Sequence, residues 1–568
     1  MKKTILTIFS FVLTCQFMFA GGIVTNTNQS AAWVRSMARD ASVGVDAVFF
    51  NPAGLTHLED GFYVQINSQT VNQTRTVTSS FPTLNNDIYE GTTFVPVLPT
   101  GFLVYKKGKL AVSAGFTVIG GGGSAVFDNG LPSFEQEIST LPTLSMGLNQ
   151  QVGQLAGVDL LLSGYSADIE FSGSSAYYGI QAGVSYMIND ALSVGIGGRY
   201  IMANNIYEGS LGNIMVTHAS GDMLATDYIS NLALPAVNGV KAQAENGLAT
   251  IEPFIEPMNL LIDLGLGPLT LQQLLDSGLL SPEQAGGIMI LIAAFGVDPD
   301  VFTVSNANDL IDDQVTELQN NIAQLAGTAA LLQAQAGQLG NSEVDVSQSG
   351  SGFTPIVSVD LDFLEGKLGL ALKYEHKTSM KVTTEVVKDD LGLYTDGEEV
   401  TAEMPSMISV GLRLRPIEKF RAQVGFHYYL DKDASYGRKD DSGAFVNNGD
   451  EVTVGGETTV YLNSNAYEAA AGLEYDVIDM LTLSGGFLYT ASDPNGIFQS
   501  GLSYTQNTMT FGLGAQVHVL DNFDIDLGYS NTSYTLYTKS LNSATFGAYE
   551  ETYDKTAWVF AAGLTYRF

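Results

Sequence analysis

Cysteine is almost absent: the 568 residues hold one, Cys15, inside the first twenty. The rest of the chain therefore has no disulfide scaffold and no thiolate metal site. Beyond that leader there is no run of about eighteen apolar residues, which excludes a transmembrane helix. Histidine is scarce too. The five are His57, His218, His376, His427 and His518, and no pair has metal-ligand spacing such as HExxH. Basic residues are outnumbered, with 25 Lys and Arg against 60 Asp and Glu and a formal charge of −35. That field repels phosphate and excludes a nucleic-acid partner.

What is present is unusual for a soluble domain. Only 15% of residues are charged, while 45% are hydrophobic, with 61 Gly, 26 Tyr and 29 Phe. Low charge with abundant glycine and aromatics suits a transmembrane β-barrel, whose outer band is apolar and whose interfaces carry aromatic girdles. The opening MKKTILTIFSFVLTCQFMFAGG has a basic start, an apolar stretch and small residues. It reads as a secretory signal peptide over 1–20. Val12-Leu13-Thr14 is a poor lead-in for a lipid anchor at Cys15.

The segment KTAWVFAAGLTYRF at 555–568 alternates strictly. Thr556, Trp558, Phe560, Ala562, Leu564, Tyr566 and Phe568 share one face. Such a long period-two run suits a tilted membrane strand. A final Phe after it resembles the signal that outer-membrane barrels present to the barrel-assembly machinery. Comparable strands are predicted at 62–72, 94–105, 109–119, 174–188, 192–208, 348–363, 367–384, 405–415, 420–431, 465–477, 481–490, 506–519 and 523–538. With 555–568 this makes a fourteen-stranded antiparallel barrel over 61–568. Very short turns alternate with longer polar loops, the outer-membrane pattern, with both termini periplasmic. The longest connection, about 210–346, is an extracellular insertion. Its apolar stretches 259–296 and 313–340 are expected to be short helices broken by Pro268, Ser281-Pro282-Glu283 and Gly296.

Fourteen strands enclose a lumen that leaks unless plugged. Residues 21–60 are the candidate plug. Ser30 is placed to cap a helix carrying Ala31, Val34, Ala38 and Ala41. Asn51-Pro52-Ala53-Gly54-Leu55 then turns the chain toward the first strand, with Pro52 locking φ and Gly54 free to take positive φ.

Gln29-Ser30-Ala31, Arg35, Asp46-Ala47 and Phe50-Asn51-Pro52-Ala53-Gly54-Leu55 resemble the N-terminal hatch of the FadL-type outer-membrane transporters of long-chain fatty acids and toluene-like hydrocarbons. The stretches 174–200 and 403–430 resemble barrel segments of that family. The resemblance implies a hatch gated at Asn51, Pro52, Ala53 and Gly54, a kinked third strand, and lateral release into the membrane. It also implies a hydrophobic ligand, with long-chain fatty acid expected. Gly120, Gly121, Gly122 and Gly123 lie where the kink belongs, and the residues themselves favour a bulge. The Asn-Pro-Ala-Gly turn reads equally as a plain connector.

Period two puts Leu192, Val194, Ile196, Tyr200 and Met202 on the lipid face, so Arg199 faces the lumen. Likewise Lys373, Glu375, Lys377, Arg413, Arg415, Arg421, Glu468 and Glu474 point inward. A carboxylate ligand in a low-dielectric lumen needs cations. Arg199, Lys373 and Arg35 are the candidates, unless inward cations pair with inward Glu. The apolar stretches of the insertion and of 131–165 form either a capture groove or a structural cap. The expected partners are hydrophobic small molecules and outer-membrane lipid, bound by a monomer with no cofactor or metal. The competing reading is a surface adhesin displaying its acidic loops. An enzyme lacks a nucleophile–base signature.

Overall fold

The computed structural model describes residues 23–454 and 456–568. The expected signal peptide, with Cys15, lies outside the described residues. The described residues divide into two compact units, one of residues 23–137, 168–211 and 342–568, the other of 138–167 and 212–341.

The first unit is a closed antiparallel barrel of fourteen strands with helical segments inside. The strands are β1 (Gly61–Ser79), β2 (Ile88–Lys107), β3 (Leu110–Phe127), β4 (Leu162–Asn189), β5 (Leu192–His218) and β6 (Ser342–Phe363). Next come β7 (Leu368–Glu375, resuming at Lys381–Asp389), β8 (Glu399–Thr401, resuming at Met407–Ile417) and β9 (Phe420–Tyr429). The last five are β10 (Leu462–Ile478), β11 (Leu481–Pro494), β12 (Thr508–Leu520), β13 (Phe523–Tyr534, resuming at Tyr537–Ser543) and β14 (Gly547–Arg567). β14 closes the barrel by pairing with both β13 and β1. Every predicted strand lies within or beside one of these. Several run further than predicted, β4 beginning at Leu162 rather than 174 and β5 reaching His218. The outward apolar signal fades once a strand leaves the hydrocarbon, while the hydrogen-bond ladder continues.

The two faces follow the period. On β5, Ile196 is 67% exposed and Tyr200 46%, whereas Ser193, Arg199, Ile201 and Ala203 are buried. Phe94, Ile180, Phe353, Phe511, Leu513 and Phe560 add to an apolar outer surface, as hydrocarbon requires. Six connections of two to four residues mark the turn end of the barrel; the opposite, loop end carries the long ones and the short β13–β14 hairpin at 544–546.

Inside the barrel, 23–60 forms α1 (Ala31–Ser36), α2 (Ala47–Phe50) and a 3-10 turn (Pro52–His57). Ser30 caps α1 as expected, its side chain accepting from the Trp33 N–H. The helix stops sooner than the spacing of Ala38 and Ala41 suggested, because Met37 takes left-handed φ of 61°. Glycines of the wall let this segment lie close. A Cβ at Gly411 or Gly425 would strike Asp40, at Gly472 or Gly486 the Ser36 carbonyl, and at Gly512 the Val34 carbonyl. Gly411 pairs with Gly425, Gly472 with Gly486, and Gly486 with Gly512. The bare track therefore runs from strand to strand.

The second unit is largely helical. α3 (Leu234–Asp263) and α6 (Val304–Gln338) are its long members, and α4 (Leu271–Asp276) and α5 (Pro282–Ala294) connect them. Thr270 and Ser281 each form a capping box with the glutamine three residues on. The 313–340 stretch is not broken into short helices: it belongs to the 35-residue α6, which contains no proline to interrupt its ladder. Met258, Leu271, Leu274, Ile288, Ile292 and Ile311 form a core within this unit. Among the described residues, no helix is long and apolar enough to cross a membrane.

Candidate functional site

The hatch is fastened to the wall by buried ion pairs. Arg35 donates to Asp526 on β13 at 2.9 Å, and to Glu474 on β10 and Ser484 on β11 at 2.6 and 2.9 Å. Arg39 grips Asp46 in a fork at 2.8 and 2.9 Å, and Ser42 and Ser30 donate to the same carboxylate at 2.6 and 3.0 Å. Burial by itself would raise the Asp46 carboxyl; the Arg39 guanidinium and the two hydroxyls outweigh it and hold it below the usual range. Asp40 is likewise held low despite burial, by His427 and by the Ser409 hydroxyl at 2.7 Å. His427 sits between Asp40 and Glu468, the latter at 2.9 Å. Both ring nitrogens face carboxylates, so both donate.

The Asn51-Pro52-Ala53-Gly54 sequence docks on β4 and β6. Asn51 donates to Asp360 at 2.7 Å and to the Ser42 carbonyl at 3.1 Å. The Ala53 N–H donates to Ser358 at 2.9 Å, and the Pro52 carbonyl accepts from Ser185 at 2.6 Å. Asp360 is also held by Arg413. Gly54 does not take positive φ. Its small size is what matters, because a Cβ there would meet the Ser42 carbonyl and the Asn51 side chain.

All three cations predicted to receive a carboxylate are buried and engaged. Arg199 forks onto Glu375 at 2.7 and 3.1 Å and onto Gln181 at 2.7 and 3.1 Å. Lys373 donates to Glu375 and to the Phe49 carbonyl, each at 2.8 Å. Both lie 4.8 Å from the centre of the Phe49 ring. Arg35 is committed to the wall as described. Lys377 pairs with Glu403 at 3.0 Å, and Arg421 with Glu474 and Asp476. Arg415 does not face the lumen: it is exposed and folds onto the Glu418 carbonyl at the turn end.

Gly120 to Gly123 form the expected irregularity. Gly121 and Gly122 take φ of 61° and 111°, and the β3–β4 register slips on both sides of Gly121. On the other edge, β2–β3 pairing jumps from Gly101↔Phe116 to Thr92↔Val126. β3 is thus unzipped from β2 over 117–125. The N-terminal segment covers part of the unzipped strand from inside. The Asn26 N–H donates to the Ile119 carbonyl at 2.7 Å, the Asn26 amide to the Gly121 carbonyl at 2.8 Å, and the Gln29 amide to the Val118 carbonyl at 2.8 Å. Asn26 has no sequence pattern that would reveal this role.

On the loop side of the hatch, Ile201, Ala203, Met380, Val382, Val400, Ala402 and Met404 form an apolar lining continuous with Phe49 and Phe50. A small pocket of about 10 Å³, room for about one water molecule, lies there between Val382, Val400, Ala402, Asn205, Gln348 and Glu403. Among the described residues, no group of three or more His, Cys, Asp or Glu could hold a metal ion.

No family model and no curated protein sequence matches the chain. Solved structures do. A Pseudomonas aeruginosa FadL homologue matches over 96% of this chain and 100% of that one, at 14% identity and TM-score 0.54. The P. putida toluene transporter TodX matches over 92% and 94%, at 13% identity and TM-score 0.44. The Ralstonia pickettii toluene transporter TbuX matches over 92% and 94%, at 12% identity and TM-score 0.41. The fold is thus a fourteen-stranded barrel with an internal hatch. More narrowly, the fold is that of the Pseudomonas aeruginosa FadL homologue.

Proposed function

We propose that the chain is a passive outer-membrane channel for the uptake of hydrophobic small molecules. An apolar ligand enters from the loop end, rests on the lining above Phe49, and leaves sideways where β3 is unzipped from β2. The observation that carries this reading is the combination of a lumen crossed by a fastened hatch with an interrupted ladder at 117–125. A water-filled pore has no use for either feature. A hydrophobe gains by leaving into lipid directly, because each CH₂ kept from water is worth about 0.8 kcal/mol. The Asn51-Pro52-Ala53-Gly54 turn is the hatch element whose release would open the path, and Gly120 to Gly123 hold the side gap. The sequence resemblance points to long-chain fatty acids and toluene-like hydrocarbons as the ligands.

The test is uptake by cells whose own hydrophobe channels are deleted. Expression of this chain should raise entry of labelled toluene or palmitate several-fold without raising entry of a small sugar. Sugar entry typical of an open porin, or no gain in either hydrophobe, overturns the proposal.

A further inference from the structure

We infer that the outer face of α5, with the acidic surface around it, is a docking site for a cationic, amphipathic polypeptide segment. The surface lies wholly within the helical unit and does not depend on what the lumen carries.

An apolar helix face is left open there. α5 carries a single charged residue, Glu283. Ala285, Ile288, Leu291 and Ile292 turn into the core of the unit. By the helical period, Gly286, Ile290, Ala293 and Ala294 fall on the other side. Ile290 is 74% exposed, and a Cβ at Gly286 would meet nothing within 4 Å. A helix that is apolar on every side belongs in an interior, yet one side of this one is bare. Its neighbours add more exposed hydrocarbon: Leu260 and Leu264 at the end of α3, Leu279 between α4 and α5, and Val301 before α6. Backbone bonds from the Val304 N–H to the Leu269 carbonyl and from the Ser305 N–H to the Gly267 carbonyl tie the Leu264 and Val301 segments together. Exposed apolar surface rimmed by polar residues marks an interaction site.

Charge names the occupant. Residues 251–310 hold eight Asp or Glu and no Lys, Arg or His. All eight acids are exposed, Glu256, Asp263, Glu283 and Asp298 among them. The one Lys of 212–341, Lys241, is paired with Glu245 at 2.6 Å, so it does not neutralise them. A second copy of the chain would set the same eight carboxylates against themselves, and an anionic lipid headgroup would be repelled in the same way. A helix or hairpin with an aliphatic stripe flanked by Lys or Arg suits both features. Its stripe covers Ile290 and the other bare side chains, and its cations meet the acidic rim.

The test uses the full chain in phosphatidylcholine nanodiscs, with binding to empty nanodiscs subtracted. The probe is a synthetic Leu/Lys helix with every Leu on one face. Two controls accompany it: a peptide of the same composition with Leu scattered around the helix, and the probe with each Lys replaced by Glu. The probe should bind at least about tenfold more tightly than either control, and added salt should weaken it by screening the rim. Ile290→Ser, at a site open to solvent, should keep the wild-type helical circular dichroism and weaken the probe about tenfold, as loss of one buried aliphatic contact does. Equal binding of probe and scattered peptide to the wild-type chain overturns the inference, whether or not the variant folds, because the attraction is then charge alone. So does a folded Ile290→Ser variant that binds the probe as tightly as wild type. Self-association of the wild-type chain that Ile290→Ser abolishes also overturns it, since a second copy is then the occupant.

Discussion

Arg35 shows how much one buried guanidinium does here. It touches Glu474, Ser484 and Asp526, on three strands, from a position one turn inside α1. Arg35→Met would leave the Asp526 carboxylate buried without that partner, at a cost of about 3–5 kcal/mol. The barrel should still assemble, because outside 117–125 of β3 its strands pair with one another and not with the hatch. The expected outcome is a heat-resistant barrel with raised small-ion conductance in planar bilayers, partly corrected by Asp526→Asn. Asp431, at the loop end, behaves differently from the hatch carboxylates. Burial raises it to about 6, although the Tyr436 hydroxyl and the Ala466 N–H favour its charged form. The folded state therefore holds a proton that the unfolded chain, with an Asp near 3.9, has released. Stability of this loop should fall as pH rises from about 4 to 6 and then level off. Asp40 and Asp46 have the opposite sign. They are held below the ordinary value, so their contribution persists above about pH 4 and is lost as pH falls through their folded values. Hydrogen exchange over 430–462, corrected for intrinsic rates, should show more protection at pH 4 than at pH 7, and Asp431→Asn should remove the difference.

At the scale of elements, the part written in alternating side chains was legible. Period two placed Arg199, Lys373, Glu468 and Glu474 inside and Ile196 and Tyr200 outside, and both sets lie there. It also placed Glu375 on the face shared with Lys373, two residues away. That made the pairing of cation with anion readable as an alternative to ligand binding, but period alone could not bring Arg199 to the same carboxylate from another strand. The four glycines of β3 were legible as a bulge because no side chain there could serve either face. The glycine track was not. Gly411, Gly472, Gly486 and Gly512 are ordinary in their own strands, and only the register between strands sets them at one level against α1 and Asp40. Gly54 was misread for a related reason: a lone glycine after Asn-Pro suggests positive φ, whereas here it answers a close approach. Gly486→Val tests the track. The added atoms would meet the Ser36 carbonyl, and overpacking of this kind costs roughly 1–3 kcal/mol. The hatch should lift while the strand still pairs, seen as normal heat-modifiability with faster protease cleavage between residues 31 and 58. An unchanged cleavage rate would show that α1 does not depend on the track.

At the scale of the whole molecule, composition, the short turns and the hatch sequence were enough to read the barrel class, strand number included. The second unit was legible only as helical and acidic. Residues 212–341 hold one Lys and fourteen Asp or Glu, and its core of Met258, Leu274, Ile288 and Ile311 is its own. A unit with its own core should be separable. Replacing 213–343 by a short Gly/Ser linker should leave a folded, heat-resistant barrel, since loop closure depends weakly on length. If the helices capture ligand, uptake at low hydrophobe concentration should drop while uptake at saturation is kept. If uptake is unchanged at all concentrations and attachment of cells to a surface is lost, the helices are adhesive instead. The claim on which the rest depends is that hydrophobes occupy the lumen on the loop side of Phe49. The direct measurement is a crystal structure with a brominated hydrophobe, located by anomalous scattering. The account predicts a peak between Val382, Val400 and Ala402. Bromine found only on the outer apolar surface, with none inside the barrel, would contradict it.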